Sequence, residues 1–201
     1  KGLKGIACRI HTPKGAFSVV VPIPGHHMVY NALAGTAVGL AYGMELSEIQ
    51  KGIESLQSLS GRFHIIENEK YTIVDDCYNA NPMSMKASLS ILKDATGRKV
   101  AILGDMGELG ENEKELHREV GTFAGNCGID LLLCVGTLAK ELAEAAKESN
   151  IQAEKQLEVV SFDTLEELLM HLGEQVKQGD TILVKASHFM NFGKIVETLQ
   201  K

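Results

Sequence analysis

From residue 62 onward, short apolar runs and helical patterns alternate with a regularity that few folds can satisfy. Runs at 63–66, 72–75, 99–103, 131–135, 158–160 and 181–184 read as strands, and several, such as Leu131-Leu132-Leu133-Cys134-Val135, are apolar throughout. An uninterrupted apolar strand suits a parallel sheet covered on both faces, because neither side of it meets water. Between the strands, apolar residues recur at helical spacing: Met85, Leu89 and Leu92; Leu116, Val120 and Phe123; Leu138, Leu142 and Ala145; Leu165, Leu168, Leu172 and Val176. Helix starts are marked as well, by Asn81-Pro82 as an N-cap with proline at the first helical position and by Asp163 with Glu166 as a capping box. Alternation of this kind predicts an α/β fold, a Rossmann-like, mostly parallel sheet with helices on both faces and right-handed connections. Residues 62–201 form one such domain of about 140 residues, an ordinary size for it.

The first 61 residues have a different character. Two extended segments, 5–10 and 16–22, flank the turn Thr12-Pro13-Lys14-Gly15 and predict a hairpin. An alanine-rich helix over 27–42 ends at Gly43, and a second, capped by Ser47, carries Ile49, Ile53 and Leu56 on one face. Two strands and two helices are too little for an independent core, so this segment reads as the end of a larger domain, with the boundary at Gly61-Arg62.

Charge and composition narrow the function. Twenty Lys+Arg against 26 Asp+Glu give a net charge of −6 with the basic residues scattered, which argues against nucleic-acid partners. No apolar stretch is long enough to insert in a membrane, and a cytoplasmic protein is expected. Cys8, Cys77, Cys127 and Cys134 form no C-x-x-C pair and read as reduced thiols; the histidines show no metal-ligand spacing, so no protein-built metal site is expected.

Ligands of an open parallel sheet bind beyond the carboxyl ends of its strands. Three edges there are polar: Asp75-Asp76-Cys77-Tyr78-Asn79-Ala80-Asn81-Pro82, Gly104-Asp105-Met106-Gly107-Glu108-Leu109-Gly110, and Lys185-Ala186-Ser187-His188. Each has a structural reading beside the functional one. The Asp/Asn cluster also suits turns and helix capping, Lys185 also suits a strand end in solvent, and the glycines follow G-x-x-G-x-x-G rather than the dinucleotide spacing. In Pro24-Gly25-His26-His27-Met28-Val29-Tyr30-Asn31, His27 and Asn31 share one side of a helical turn, as caps or as a pair facing a planar ligand.

In this order, the segments Pro24-Gly25-His26-His27 to Asn31-Ala32-Leu33-Ala34, Gly61-Arg62, Asp75 to Met85, Gly104-Asp105-Met106 with Glu108-Leu109-Gly110 and His117, and Val184-Lys185-Ala186-Ser187 resemble the Mur ligases of peptidoglycan synthesis, MurF type. The resemblance runs the length of the chain. It implies that residues 1–61 are the C-terminal part of a central ATP-binding domain and that 62–201 are the C-terminal Rossmann-like domain. It implies an ATP-dependent peptide ligase that adds D-Ala-D-Ala to UDP-MurNAc-tripeptide through an acyl phosphate, with ATP and Mg2+ as cofactors. By motif, His27 and Asn31 would contact the adenine side of ATP, Arg62 its phosphates and Asp76 its ribose. Tyr78, Asn79 and Asn81 would orient the dipeptide, with Ser187, the Glu108 loop and Lys185, the catalytic candidate, on the facing rim. Two positions depart from the family pattern, His188 where many relatives carry arginine and Gly193 where many carry glutamate. No G-x-x-x-x-G-K-[ST] loop occurs, so this chain is expected to be an inactive piece of the enzyme; a monomer is expected. Another Mur or folylpolyglutamate-type amino-acid ligase, or a non-catalytic Rossmann-like nucleotide-binding module, are the alternative readings.

Overall fold

A computed structural model describes residues 2–151 and 156–201 of the protein. The chain divides into two compact units, Lys1–Ser58 and Leu59–Lys201.

In the first unit, β1 (Ile6–Thr12) and β2 (Gly15–Val21) pair antiparallel, with Thr12 facing Gly15 at the turn. The Thr12 hydroxyl donates to the Gly15 carbonyl at 2.9 Å and accepts from the Lys14 amide at 3.2 Å, which closes the reversal. Alternate residues Phe17, Val19 and Val21 bury one face of the hairpin with Ile10, Ala32, Ile49 and Ile53. Helix α1 (His27–Ala41) buries only Ala32, Thr36 and Gly39, spaced as one helical stripe. Helix α2 (Leu46–Glu54) starts differently from the expectation. Glu45, not Ser47, is its N-cap, in a reciprocal box with Glu48, whose carboxylate accepts from the Glu45 amide at 2.9 Å. Ser47 therefore sits inside the first turn, and Leu56 lies beyond the helix end and is exposed.

The second unit is built on a six-stranded sheet of β3 (His64–Glu67), β4 (Thr72–Asp75), β5 (Lys99–Gly104), β6 (Leu131–Val135), β7 (Glu158–Phe162) and β8 (Thr181–Lys185). Their order is β3-β4-β8-β5-β6-β7. Every pairing is parallel except β3 with β4. The helices are α3 (Pro82–Lys93), α4 (Glu113–Gly125), α5 (Ala139–Asn150), α6 (Leu165–Gln175) and α7 (Gly193–Leu199). One face of the sheet, through Ile73, Val100, Ile102, Leu131, Leu133, Ile182 and Val184, packs against α6 and α7. Alternate strand residues turn to the other face, where α3 lies on β5 and β8 and α5 on β6. All five residues of β6 and of β8 are buried, as apolar parallel strands require.

Two local expectations shift by one residue. Helix α6 is capped by Thr164, whose hydroxyl accepts from the Glu167 amide at 3.1 Å while the Glu167 carboxylate accepts from the Asp163 amide at 2.7 Å. Helix α4 buries His117, Val120, Gly121, Ala124 and Gly125, whereas Leu116 and Phe123 are only half-buried. The reason is its partner. A Cβ at Gly121 would land on the Leu142 carbonyl oxygen and one at Gly125 on the Ser149 hydroxyl, so α4 and α5 touch backbone to backbone through small residues. No helix among the described residues is long and apolar enough to cross a membrane.

Candidate functional site

Because β8 enters the sheet between β4 and β5, the loops that follow these three strands are neighbours at one edge. The residues they carry are tied to one another by a dense set of hydrogen bonds.

Asp76 is the hub. Its Oδ2 accepts from Lys185 Nζ at 2.7 Å and from the Ser88 hydroxyl at 2.6 Å, and its Oδ1 accepts from the Phe63 amide at 3.1 Å. A carboxylate has about four lone-pair sites; three are used here. Lys185, the catalytic candidate of the sequence reading, is 2% exposed. Its ammonium donates to Asp76 Oδ2, to the Asn79 carbonyl at 3.0 Å and to the Asp76 carbonyl at 3.5 Å, which accounts for all three of its donors. Lys185 thus ends its strand buried rather than in solvent, and its ammonium holds the β4–α3 loop.

That loop presents Tyr78, Asn79 and Asn81, all exposed. Asn81 caps α3 by accepting from the Ser84 amide at 2.9 Å, and the Asn79 side-chain oxygen accepts from the Ala80 amide at 2.8 Å. In both, the oxygen is spent on the backbone while the amide nitrogen keeps its donors on an exposed side chain. The Arg62 guanidinium stands 4.0 Å from the centroid of the Tyr78 ring, a cation–π contact, and the His188 and Tyr78 ring centroids are 5.5 Å apart. Tyr78 and His188 line a groove of about 320 Å³ with Ser60, Asn191, Gly193 and Lys194.

The β8 and β5 loops are clasped together. Ser187 is buried; its hydroxyl accepts from the Gly107 amide at 2.8 Å and its amide donates to the Asp105 carbonyl at 3.1 Å. Asp105 Oδ1 accepts from the Ala139 amide at 2.7 Å at the start of α5, and a Cβ at Gly136 would approach that oxygen to 2.5 Å, so only glycine fits there. His117 is wholly buried: its Nε2 accepts from the Met106 amide at 2.9 Å, so the ring carries its proton on Nδ1, 2.6 Å from the Glu113 carbonyl. Beyond these anchors Glu108 is exposed with φ +61, a conformation that costs a non-glycine residue about 1 kcal/mol and suits a side chain aimed by its loop. His27 and Asn31 lie in the first unit, both exposed on the opening turns of α1, with Asn31 Nδ2 3.3 Å from Met28 Sδ. Among the described residues, no group of three or more His, Cys, Asp and Glu is arranged to hold a metal ion.

The sequence assigned no role to four residues that the structure puts to use. Asp75 is buried and accepts from Ser60, Gly61 and Cys77. Ser88 sits nearly two turns inside α3, Phe63 adopts φ +53 to reach Asp76, and Asp105 pins α5. Only Asp75 and Asp105 carried a signal, as acidic residues at strand ends; a serine in a helix and a phenylalanine before a strand carry none.

All four cysteines are free thiols. Burial, then the hydrogen bond to Asp75, pushes the Cys77 thiol up from 9.0 to about 12. Because the folded state holds this proton more tightly than the unfolded chain, Cys77 contributes stability that is complete below about pH 9 and is lost as pH rises toward 12. Iodoacetamide at pH 8 is therefore expected to label the half-buried Cys77 far more slowly in the native protein than in urea; equally rapid native labelling would contradict the Asp75-bound thiol.

The family model described as Mur ligase, glutamate ligase domain, matches residues 61–188. A curated relative from Buchnera aphidicola subsp. Baizongia pistaciae, named UDP-N-acetylmuramoyl-tripeptide--D-alanyl-D-alanine ligase, is 36% identical over 98% of this chain and 42% of its own length. A crystal structure of MurF from Acinetobacter baumannii superposes with TM-score 0.87 and 32% identity over 98% of this chain and 43% of that one. MurF ligase from Thermotoga maritima, solved in complex with ADP, follows at TM-score 0.77 and 26% identity, over 96% and 43%. The chain spans about two fifths of the length of these relatives. With a matched family model across most of its second unit and the motif-bearing loops gathered on one sheet edge, the chain belongs to the Mur ligase family.

Proposed function

We propose that this chain works as the C-terminal part of an ATP-dependent ligase that adds D-Ala-D-Ala to UDP-MurNAc-tripeptide through an acyl phosphate, in the cytoplasm and as a monomer. On this reading residues 1–61 complete a central ATP-binding domain and 62–201 are the domain that brings the amine substrate. The relatives' names support the substrates, and the exposed Arg62–Tyr78 pair beside the Asn79 and Asn81 amides is the observation that carries the site.

The chemistry follows from the donors. Arg62 offers a planar, permanently charged fork to phosphate oxygens, and its contact with Tyr78 limits the orientations it samples. Asn79 and Asn81 offer amide donors suited to the carboxylate of a dipeptide. Asp76 has about one acceptor site left for a ribose hydroxyl. Ser187 and Lys185 act one step back, fixing the β5 and β4 loops, and His27 with Asn31 serves the adenine side from the first unit. Mg2+, carried with the phosphates of ATP, would neutralise charge on the transferring phosphoryl group. ATP, when bound, supplies the leaving phosphate that activates the carboxylate.

Two measurements test the reading. The chain alone, lacking a phosphate-binding loop, is expected to show no ATP-dependent ligation, and turnover by it would overturn the division of labour. In the ligase that carries this chain, D-Ala-D-Ala is expected to be preferred over any single amino acid as the amine. A preference for one amino acid would assign a different member of the family.

A further inference from the structure

Asp75 is 3% exposed, and its partners are Ser60, Gly61 and Cys77, none of them cationic. We infer that Asp75 is a positioning residue for Arg62: its buried carboxylate anchors the Ser60-Gly61 turn on the end of β4 and so holds the Arg62 guanidinium over the Tyr78 ring. The inference rests on the proposed role of Arg62 toward the nucleotide.

The turn is fixed from three directions. The Arg62 amide donates to the Leu59 carbonyl at 2.9 Å and closes the reversal. On one side the Gly61 amide and the Ser60 hydroxyl both donate to Asp75 Oδ2, at 2.7 and 3.1 Å. On the other, the Tyr78 amide donates to the Gly61 carbonyl at 3.0 Å. The residue immediately before Arg62 is therefore bonded both to Asp75 and to the residue whose ring Arg62 covers. Gly61 has φ +75, and a Cβ there would come within 3.1 Å of the Tyr78 side chain, so no other residue allows the turn to lie this close.

A carboxylate is the right group for the task because it only accepts. Oδ2 serves the turn, and Oδ1 takes the Cys77 thiol at 3.0 Å and faces the Cys77 amide at 3.5 Å. Asparagine keeps one oxygen for Gly61 and Ser60 but turns an N–H2 toward Cys77. Alanine leaves the Gly61 amide without a partner in a buried place.

The test uses NMR on the 201-residue chain. Stacking on Tyr78 displaces the Arg62 Cδ methylene protons upfield by the ring current. Asp75→Ala is expected to abolish that displacement, Asp75→Asn to retain most of it, and Cys77→Ala, which spares the Oδ2 side, to leave it unchanged. A folded Asp75→Ala protein that keeps the displacement overturns the inference. Should Asp75→Ala give no dispersed spectrum, Asp75→Ser, polar but too short to reach the Gly61 amide, decides the same point: loss of the displacement supports the inference and retention overturns it. In the parent ligase, Asp75→Ala is expected to raise KM for ATP roughly tenfold with kcat little changed, and Asp75→Asn to rescue it. A merely structural role would instead lower the active fraction and leave KM alone. If Arg62→Ala leaves KM for ATP unchanged, the nucleotide role of Arg62 falls, while the NMR result still decides what positions it.

Discussion

Lys185→Met is expected to destabilise the chain by about 3–5 kcal/mol, the range for removing one member of a buried ion pair. The lysine is 3% exposed in its side chain and Asp76 14%, so the pair sits in a low-dielectric pocket where a lone carboxylate is costly. Among the described residues, removing the ammonium leaves Asp76 with the Ser88 hydroxyl and the Phe63 amide and takes a donor from the Asn79 carbonyl. Methionine fills most of the volume, so the loss reports charge and hydrogen bonding rather than a cavity. Urea unfolding of the chain measures it. The combination Asp76→Asn with Lys185→Met is expected to recover more than half of the loss, because the unpaired charge disappears along with its partner. If Lys185→Met alone costs less than about 1 kcal/mol, the pair is a surface pair in effect and its hold on the β4–α3 loop is weak.

Why this pair was invisible in the sequence follows from the sheet order. Asp76 and Lys185 stand 109 residues apart, and only the insertion of β8 beside β4 brings them together. Periodicity finds strands and helices but not which strands are neighbours. So the strand positions and the polar character of their ends were legible, while the division between exposed and buried side chains at those ends was not. Arg62, Tyr78, Asn79 and Asn81 are exposed, whereas Lys185 and Ser187 are buried and bonded within the loops. The direction of β3 was also hidden. Its hairpin to β4 closes through Asn68, whose side chain accepts from the Lys70 and Tyr71 amides at 2.9 and 2.8 Å, a turn signal that an alternating α/β pattern overshadows. The caps of α2 and α6 were displaced for a simpler reason: several polar residues stand in a row at each start, and only backbone geometry selects one.

The face of α4 was misjudged because glycine has no hydropathy signal, and the same glycines make the second large prediction. Gly121→Ala is expected to cost about 3 kcal/mol, at the upper end for overpacking, since its methyl group would meet the Leu142 backbone carbonyl rather than a side chain that could turn away. Gly173→Ala on α6 is the control: nothing lies within 4 Å of its Cβ position, the residue is exposed, and alanine there is expected to stabilise by about 0.5–1 kcal/mol through helix propensity. The two substitutions are chemically identical and opposite in sign, so the comparison isolates helix–helix contact from propensity. Gly121→Ala should also be felt at the candidate site. Helix α4 carries His117, whose ring holds the Met106 amide and with it the β5 loop that Ser187 clasps through Gly107. Pushing α4 off α5 displaces that ring, so amide hydrogen exchange at Met106 and Gly107 is expected to accelerate more than in β6, whose strand pairings remain intact. Uniform acceleration across the sheet would mean that the substitution lowers global stability without reaching the loop, and that the α4–α5 contact supports the fold alone.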